Sequence, residues 1–214
     1  MERTRDIRRE YSYTQLRRAD LAEQPLQQFQ IWFENALANA VQDVTAMALA
    51  TVDASAQPSV RIVLLKEFDA SGFVWFSDQR SEKGQALAAN PQAELLFYWR
   101  ELERQVRIRG TVSHVSDAQS EAYFHSRPLA SRWAAATSVQ SQPIASRRQL
   151  EDRYAELEQQ NPESVQRPEA WGGFCLFPQA YEFWQGREGR LHDRFRFTRQ
   201  TRTGDDWLIE RLQP

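Results

Sequence analysis

Apolar positions recur at spacings of three and four through Leu26, Phe29, Trp32, Phe33, Ala36, Leu37 and Ala40. That period places them on one face of a helix, and Pro25 suits its first turn. From Thr45 the period shortens to two. Residues 45–52, 59–67 and 73–77 read as strands separated by turns at 53–58 and 69–72. Ser81 can cap a helix to about Asn90, closed by Asn90-Pro91. Strands 93–99 and 105–115 follow, joined by the charged turn 100–104. Asp117 can cap a helix to about Ser126. A second helical stretch covers about 129–138, and the polar segment 146–160 forms another helix. Strands 173–177, 180–185, 190–199 and 207–212 complete the pattern. Antiparallel strands with short connections and inserted helices predict a mainly β fold, a closed or nearly closed barrel with peripheral α-helices. Residues 1–24 are polar and charged and read as a flexible segment, and 25–214 as a single domain.

Composition narrows the function classes. The 214 residues carry a formal charge of −2 with a pI of about 6.0, against the strongly basic balance of a general nucleic-acid binder. Arginines nevertheless gather near the N-terminus, at 100–109 and at 187–202, so local anion sites are possible on a nearly neutral chain. The single cysteine, Cys175, lies in an apolar run and reads as an inert, buried thiol. There is no apolar run of membrane-spanning length and no apolar signal core near Met1, so a soluble cytoplasmic protein is expected. His114 and His125 have no metal-ligand spacing around them, and no metal site is expected. Eight glycines without a glycine-rich nucleotide loop argue against a dinucleotide fold.

Several short groupings carry candidate chemistry. If 190–199 is a strand throughout, Arg190, His192 and Arg194 share one face, with Trp184 close by. Two guanidiniums, an imidazole and an indole suit a flat, anionic, ring-bearing ligand. The flanking cations should keep His192 neutral near pH 7. Arg61 and Lys66 bracket an apolar run, and in a regular strand they point to opposite faces. Ser81-Glu82-Lys83-Gly84 opens a helix whose free amides, with Lys83, could cradle a phosphate, although Glu82 opposes an anion. Tyr123, Arg127 and Ser131 are spaced by four, but Pro128 interrupts the helix they would share. Gln140-Ser141 lies in a polar loop, and Gln105 beside Arg104 and Arg107 could read a heterocycle edge.

Together these segments resemble the pyridoxine/pyridoxamine 5′-phosphate oxidases, FMN-dependent split-barrel homodimers. The markers run in order along nearly the whole chain: RREY (8–11), RIVLLK (61–66), SEKG (81–84), ERQVRIRG (103–110), YFHSRP (123–128), QS (140–141), FWQG (183–186), RLHDRF (190–195) and RLQP (211–214). The resemblance implies an antiparallel split β-barrel of six to eight strands. It implies that Arg61, Lys83 and Ser141 hold the FMN phosphate, with Glu82 and Gln140 beside them. Ile62, Val63, Leu64 and Leu65 would run along the flavin, Phe76 and Ser77 would line its edge, and Gln105, Trp184 and Arg194 would also contact it. Lys66, counted with the cofactor set as well, would bind the substrate phosphate with Tyr123, Arg127 and Ser131. Arg190 and His192 would be the catalytic pair over the substrate ring, flanking Leu191. Arg8, Arg9, Glu10 and Tyr11 would close over the substrate as a lid.

The implied reaction oxidises the C4′ alcohol or amine of pyridoxine or pyridoxamine 5′-phosphate to pyridoxal 5′-phosphate in vitamin B6 metabolism. O2 is the acceptor and gives H2O2; the amine also yields ammonia. Active sites at a homodimer interface are implied, with no nucleic-acid or membrane partner. Three positions depart from the common family pattern: Glu82 stands where Arg is frequent, Arg187 where Gly is, and Phe76 where Tyr is. Two other readings fit parts of the pattern. One is a split-barrel flavin oxidase of the phenazine-biosynthesis type; the other is a non-catalytic flavin- or pyridoxal-phosphate-binding protein. RREY and the phosphate set Lys66, Tyr123, Arg127 and Ser131 favour the oxidase.

Overall fold

A computed structural model describes residues 10–12, 14–201 and 204–214. Arg8 and Arg9 lie outside the described residues. Helices α1 (Pro25–Ala38), α2 (Glu82–Ala89), α3 (Asp117–Ser126), α4 (Leu129–Thr137) and α5 (Arg147–Gln160) accompany nine strands. These are β1 (Ala46–Val52), β2 (Pro58–Leu64), β3 (Glu67–Asp69), β4 (Gly72–Asp78), β5 (Gln92–Trp99), β6 (Arg104–His114), β7 (Trp171–Gln185), β8 (Asp193–Arg199) and β9 (Trp207–Leu212). They bond in the order β2-β1-β5-β6-β7-β4-β3, with β8 between β7 and β9. The fold class is the mainly antiparallel β type with peripheral helices. No described helix is long and apolar enough to cross a membrane.

The described residues form nine strands, more than the six to eight implied by the resemblance but equal to the number read from the sequence, because two local changes offset each other. The expected strand 59–67 is cut after Leu64, and its remainder pairs separately as β3, Glu67 opposite Val74. Conversely, 173–177 and 180–185 form one continuous strand, β7. Its first half pairs with β4, Leu176 opposite Phe73, and its second with β8, Ala180 opposite Thr198. Pro178, which has no N–H to donate, falls between the two paired stretches, where it interrupts neither ladder.

The chain forms two compact units. The first comprises residues up to 49, 94–110 and 178–214. Its core sets α1 on aromatic strand residues: Phe29 meets Phe97 edge-on at 5.1 Å, and Trp32 meets Phe183 at 5.3 Å. Phe29, Ala36, Phe97 and Phe183 are fully buried. Ala40, at φ 50°, ends α1 in a left-handed turn that returns the Val41 amide to the Ala36 carbonyl. The second unit comprises 50–93 and 111–177. Here Phe124, Trp133, Val165 and Trp171 form a buried cluster beneath α3, α4 and α5.

The capping chemistry was legible in outline. Ser81 caps α2, its hydroxyl accepting the Gly84 amide, and Ser146 caps α5 through the Gln149 amide. For α3 the cap is Ser116 rather than Asp117, which occupies the first helical position instead.

Candidate functional site

The second unit contains a cavity of about 880 Å³ that collects much of the expected set. Arg61, Ile62, Val63, Leu64, Lys66, Phe76, Ser77, Glu82, Lys83, Tyr123, Arg127, Ser131, Gln140 and Ser141 all line it. Leu65 does not; it is buried in the core at 3% exposure. Arg61 and Lys66 share this lining despite the expectation of opposite faces. The alternation argument lapses because β2 ends at Leu64, and the Lys66 amide instead bonds the Val74 carbonyl at 2.9 Å. Tyr123, Arg127 and Ser131 meet by a different route from a continuous helix. Arg127 is extended (φ −75°, ψ 151°) and Pro128 starts α4, so a turn between two helices brings the three together.

Lys83 is the most deeply placed cation of this cavity, 7% exposed. Its Nζ donates to Gln140 Oε1 at 2.7 Å and to Ser77 and Ser81 Oγ, each at 3.2 Å. Ser77 Oγ donates to the same Gln140 oxygen at 2.8 Å. Gly84 lets this turn close, since a Cβ there would meet the Gln79 carbonyl. Burial first, then the neighbouring Arg61 charge, pushes the Lys83 ammonium below its usual range, only partly offset by Asp78 and Glu82. Arg61 is lowered as well, by burial, with Glu82 acting in the opposite sense. Arg61 is oriented by Thr51 Oγ1 at 2.7 Å and Ser59 Oγ at 2.7 Å. Two cations held this way are relieved by an anion.

The loop bearing Gln140 and Ser141 is tied down by a carboxylate that sequence reasoning did not single out. Asp78 Oδ2 accepts the Gln140 amide at 3.4 Å and a 2.7 Å bond from Arg80, which also reaches the Ser138 carbonyl. Burial alone would raise the Asp78 carboxyl, but side-chain and backbone bonds from Arg80 bring it below the usual range. Ser141 itself sits at φ 70°. The Asp-x-Arg spacing of 78–80 was the available signal.

Aromatic rings make the other recognition surface. Phe76 stacks on Tyr123 with centroids 4.0 Å apart and on Trp171 at 5.5 Å. The Arg127 guanidinium lies 4.8 Å over the Trp171 ring. One of its terminal nitrogens, Nη1, is buried without a hydrogen-bond partner, and burial lowers the group's basicity. Trp171, another cavity residue not singled out from sequence, is therefore the platform for Arg127.

Gln105, Trp184, Arg190, Leu191, His192 and Arg194 belong to the first unit. The single face proposed for Arg190, His192 and Arg194 is not formed. β8 begins at Asp193, and Glu188–Arg190 is a short helical turn with Gly189 and Arg190 both at φ 61°. Left-handed backbone at two successive positions breaks the alternation before it reaches Arg194. Arg190 and Leu191 are exposed, while Arg194 pairs with Glu182 Oε1 at 2.7 Å and donates to the Gln213 carbonyl. His192 keeps its proximity to Trp184, ring centroids 4.7 Å apart, and Tyr11 meets both rings edge-on. The Arg187 amide donates to His192 Nδ1 at 3.1 Å, so a neutral ring carries its proton on Nε2. Burial, then Arg190 and Arg194, holds the imidazole below its ordinary range, as the flanking arginines alone suggested. Cys175 is half-buried rather than buried as expected, and burial pushes its thiol up.

Residues 33–161 match the family model "Pyridoxamine 5′-phosphate oxidase", and residues 171–214 match "Pyridoxine 5′-phosphate oxidase C-terminal dimerisation region". The chain is 50% identical over its whole length to the whole pyridoxine/pyridoxamine 5′-phosphate oxidase of Thermosynechococcus vestitus. It is 51% identical to an oxidase of the same name, numbered 1, from Ralstonia nicotianae, over 98% of each chain. Among solved structures it is similar to PhzG from Burkholderia lata, crystallised with tetrahydrophenazine-1-carboxylic acid. That match has TM-score 0.86 and 28% identity, covering 92% of this chain and 95% of PhzG. A pyridoxamine 5′-phosphate oxidase-related, FMN-binding protein from Nostoc punctiforme shares the fold at TM-score 0.72 and 18% identity, over 91% of this chain and all of that one. The fold is accordingly a split barrel, and the chain belongs to the pyridoxamine 5′-phosphate oxidase family.

Proposed function

We propose that the chain is an FMN-dependent oxidase that converts pyridoxine and pyridoxamine 5′-phosphate to pyridoxal 5′-phosphate in the cytoplasm, working as a homodimer. The observation that carries this reading is one cavity with two anion-binding groupings, the cations Arg61 and Lys83, and the cation Arg127 with the Tyr123 phenol. A phosphorylated cofactor and a phosphorylated substrate together need two such groupings. The volume lies within the range of small-molecule sites. When bound, FMN supplies the two-electron acceptor and the centre at which O2 is reduced to H2O2.

The fit of the chain to that cofactor rests on its donor set. Lys83, Arg61, Gln140 and Ser141 offer two cations and neutral polar groups for a phosphate dianion, and Phe76 offers a flat apolar face for a ring. Lys66, Tyr123, Arg127 and Ser131 would hold the substrate phosphate. Arg190 would orient the substrate and stabilise developing charge. His192, neutral with its proton on Nε2, would position the substrate ring or hold a proton there. Half of the residues are shared with the named oxidases, and 28% with PhzG, so the phosphorylated substrate is preferred to a tricyclic one.

The purified protein is expected to be yellow, to release FMN on denaturation, and to form pyridoxal 5′-phosphate from pyridoxine 5′-phosphate with O2 consumption. A colourless protein that rejects added FMN would sink this reading. Glu82→Arg is expected to tighten FMN binding about two- to fivefold, because an exposed charge beside Arg61 and Lys83 changes sign. Titration of the apoprotein with FMN checks this, and a looser complex would contradict it.

A further inference from the structure

We propose that Glu103 is a positioning residue: it fixes the segment around Ser12 against the turn at Gly186 and so holds Tyr11 on His192 and Trp184. The inference deepens the oxidase reading and rests on it for its kinetic consequence alone.

Glu103 closes the short helical turn Arg100–Leu102 in a left-handed conformation, φ 54° and ψ 39°. Glycine or asparagine takes this conformation more cheaply than glutamate. The residue is also only 6% exposed, an unfavourable place for a carboxylate that does nothing. Its Oε2 accepts the Ser12 amide at 2.8 Å. Its main-chain carbonyl accepts the Gly186 amide at 2.8 Å and the Gln185 side-chain amide at 3.2 Å. One residue therefore ties two chain segments far apart in sequence.

Gly186 shows how close that tie is. A Cβ built there would lie 2.6 Å from Tyr11 Cδ1 and 3.1 Å from Glu103 Cβ. The Tyr11 ring rests on bare backbone, which leaves its edge contacts at 5.4 Å to His192 and 5.6 Å to Trp184. A second carboxylate, Asp193, accepts the Leu16 amide at 3.1 Å. Residues 10–12 and 14–17 have no regular secondary structure, so side-chain acceptors rather than a ladder set their path. The Ser12 bond lies one residue from Tyr11; the Leu16 bond lies five away. Of these two acceptors, Glu103 is the one that holds the chain next to the phenol ring.

The test uses the full chain loaded with FMN and three variants: Glu103→Ala, Ser12→Pro and Ser12→Ala. Ser12→Pro removes the amide donor while keeping the Glu103 side chain. Ser12→Ala keeps that donor and serves as the conservative control. Amide hydrogen exchange of the peptide covering 10–16 should quicken at least about tenfold in Glu103→Ala and Ser12→Pro, and stay at the wild-type rate in Ser12→Ala. KM for pyridoxine 5′-phosphate should rise about five- to tenfold in the first two with kcat within about twofold, the pattern of lost positioning. Wild-type exchange in Glu103→Ala and Ser12→Pro overturns the proposal, as does an unchanged KM in an active enzyme. If the wild-type chain shows no oxidase activity, the oxidase reading fails, and faster exchange in the two variants still upholds the hold on Tyr11.

Discussion

Replacing Lys83 by methionine is expected to weaken FMN binding roughly 30- to 100-fold, measured by titrating the apoprotein and following quenching of flavin fluorescence. Methionine keeps an unbranched apolar stem of similar length and removes the charge. The ammonium donates to Gln140, Ser77 and Ser81, three neutral acceptors. Neutral acceptors do not compensate a buried cation that lies near the Arg61 charge, and the depressed basicity of Lys83 records the deficit. A phosphate dianion reverses the sign of that local field. A charge-assisted hydrogen bond of this kind contributes about 1.5–3 kcal/mol, from which the affinity loss follows. The same imbalance predicts opposite effects on the two forms of the protein. The Lys83→Met apoprotein should melt no lower than wild type, since a strained charge is gone, while the gain in Tm on adding FMN should shrink. Wild-type affinity in this variant would show that the cofactor phosphate sits elsewhere.

Glu82 is exposed and acts on Arg61 and Lys83 through solvent-screened charge alone. Its reversal is expected to matter less than the loss of one buried donor, although it changes the local charge by twice as much.

How far these roles were legible in the sequence depends on the kind of signal each left. α1 and α5 were readable because a period near 3.6 survives over four turns. The cavity cation Lys83 was readable because helix starts are places where anion-binding groups gather, and Arg61, in the middle of β2, because it is a cation in an otherwise apolar run. Lys66 was harder. Its relation to Arg61 turns on where β2 stops, and Leu64 and Leu65 give no sign in composition that pairing ends between them. The Arg190–Arg194 row failed for a related reason. Alternation of residue types persists through 190–194, but the backbone at Gly189 and Arg190 is left-handed, and a glycine in a loop does not announce which φ it takes. The tie of Asp78 to Gln140 and the contact of Trp171 with Arg127 were hidden for another reason, since the Asp-x-Arg spacing signals only the Arg80 pair. Each residue acts on one distant in sequence, Asp78 on the Gln140 amide and Trp171 on Arg127, so only the fold reveals these partners.

Arg127→Leu is expected to raise KM for pyridoxine 5′-phosphate roughly 30- to 100-fold, with kcat changed less than about threefold and FMN affinity unaltered. The guanidinium is held by stacking and not by a carboxylate: it lies 4.8 Å over Trp171 and 5.9 Å over Phe124. That arrangement fixes the plane of the fork while leaving Nη1 buried without a hydrogen-bond partner. An unsatisfied buried donor costs about 1–3 kcal/mol, and a charge-assisted bond to an arriving phosphate both removes that cost and adds its own gain. Binding energy of this sort is the same for substrate and transition state, because the phosphate is remote from the C4′ carbon that reacts; the loss therefore falls on KM. Arg127→Lys should recover only part of the affinity, since an ammonium neither stacks as a plane on Trp171 nor forms a fork. The control is the unphosphorylated alcohol, pyridoxine. Its turnover should be the same in Arg127→Leu as in wild type, because it carries no group for this residue to hold. A variant that lost activity toward pyridoxine and its phosphate in equal proportion would place Arg127 in the architecture of the cavity and not in recognition of the phosphate.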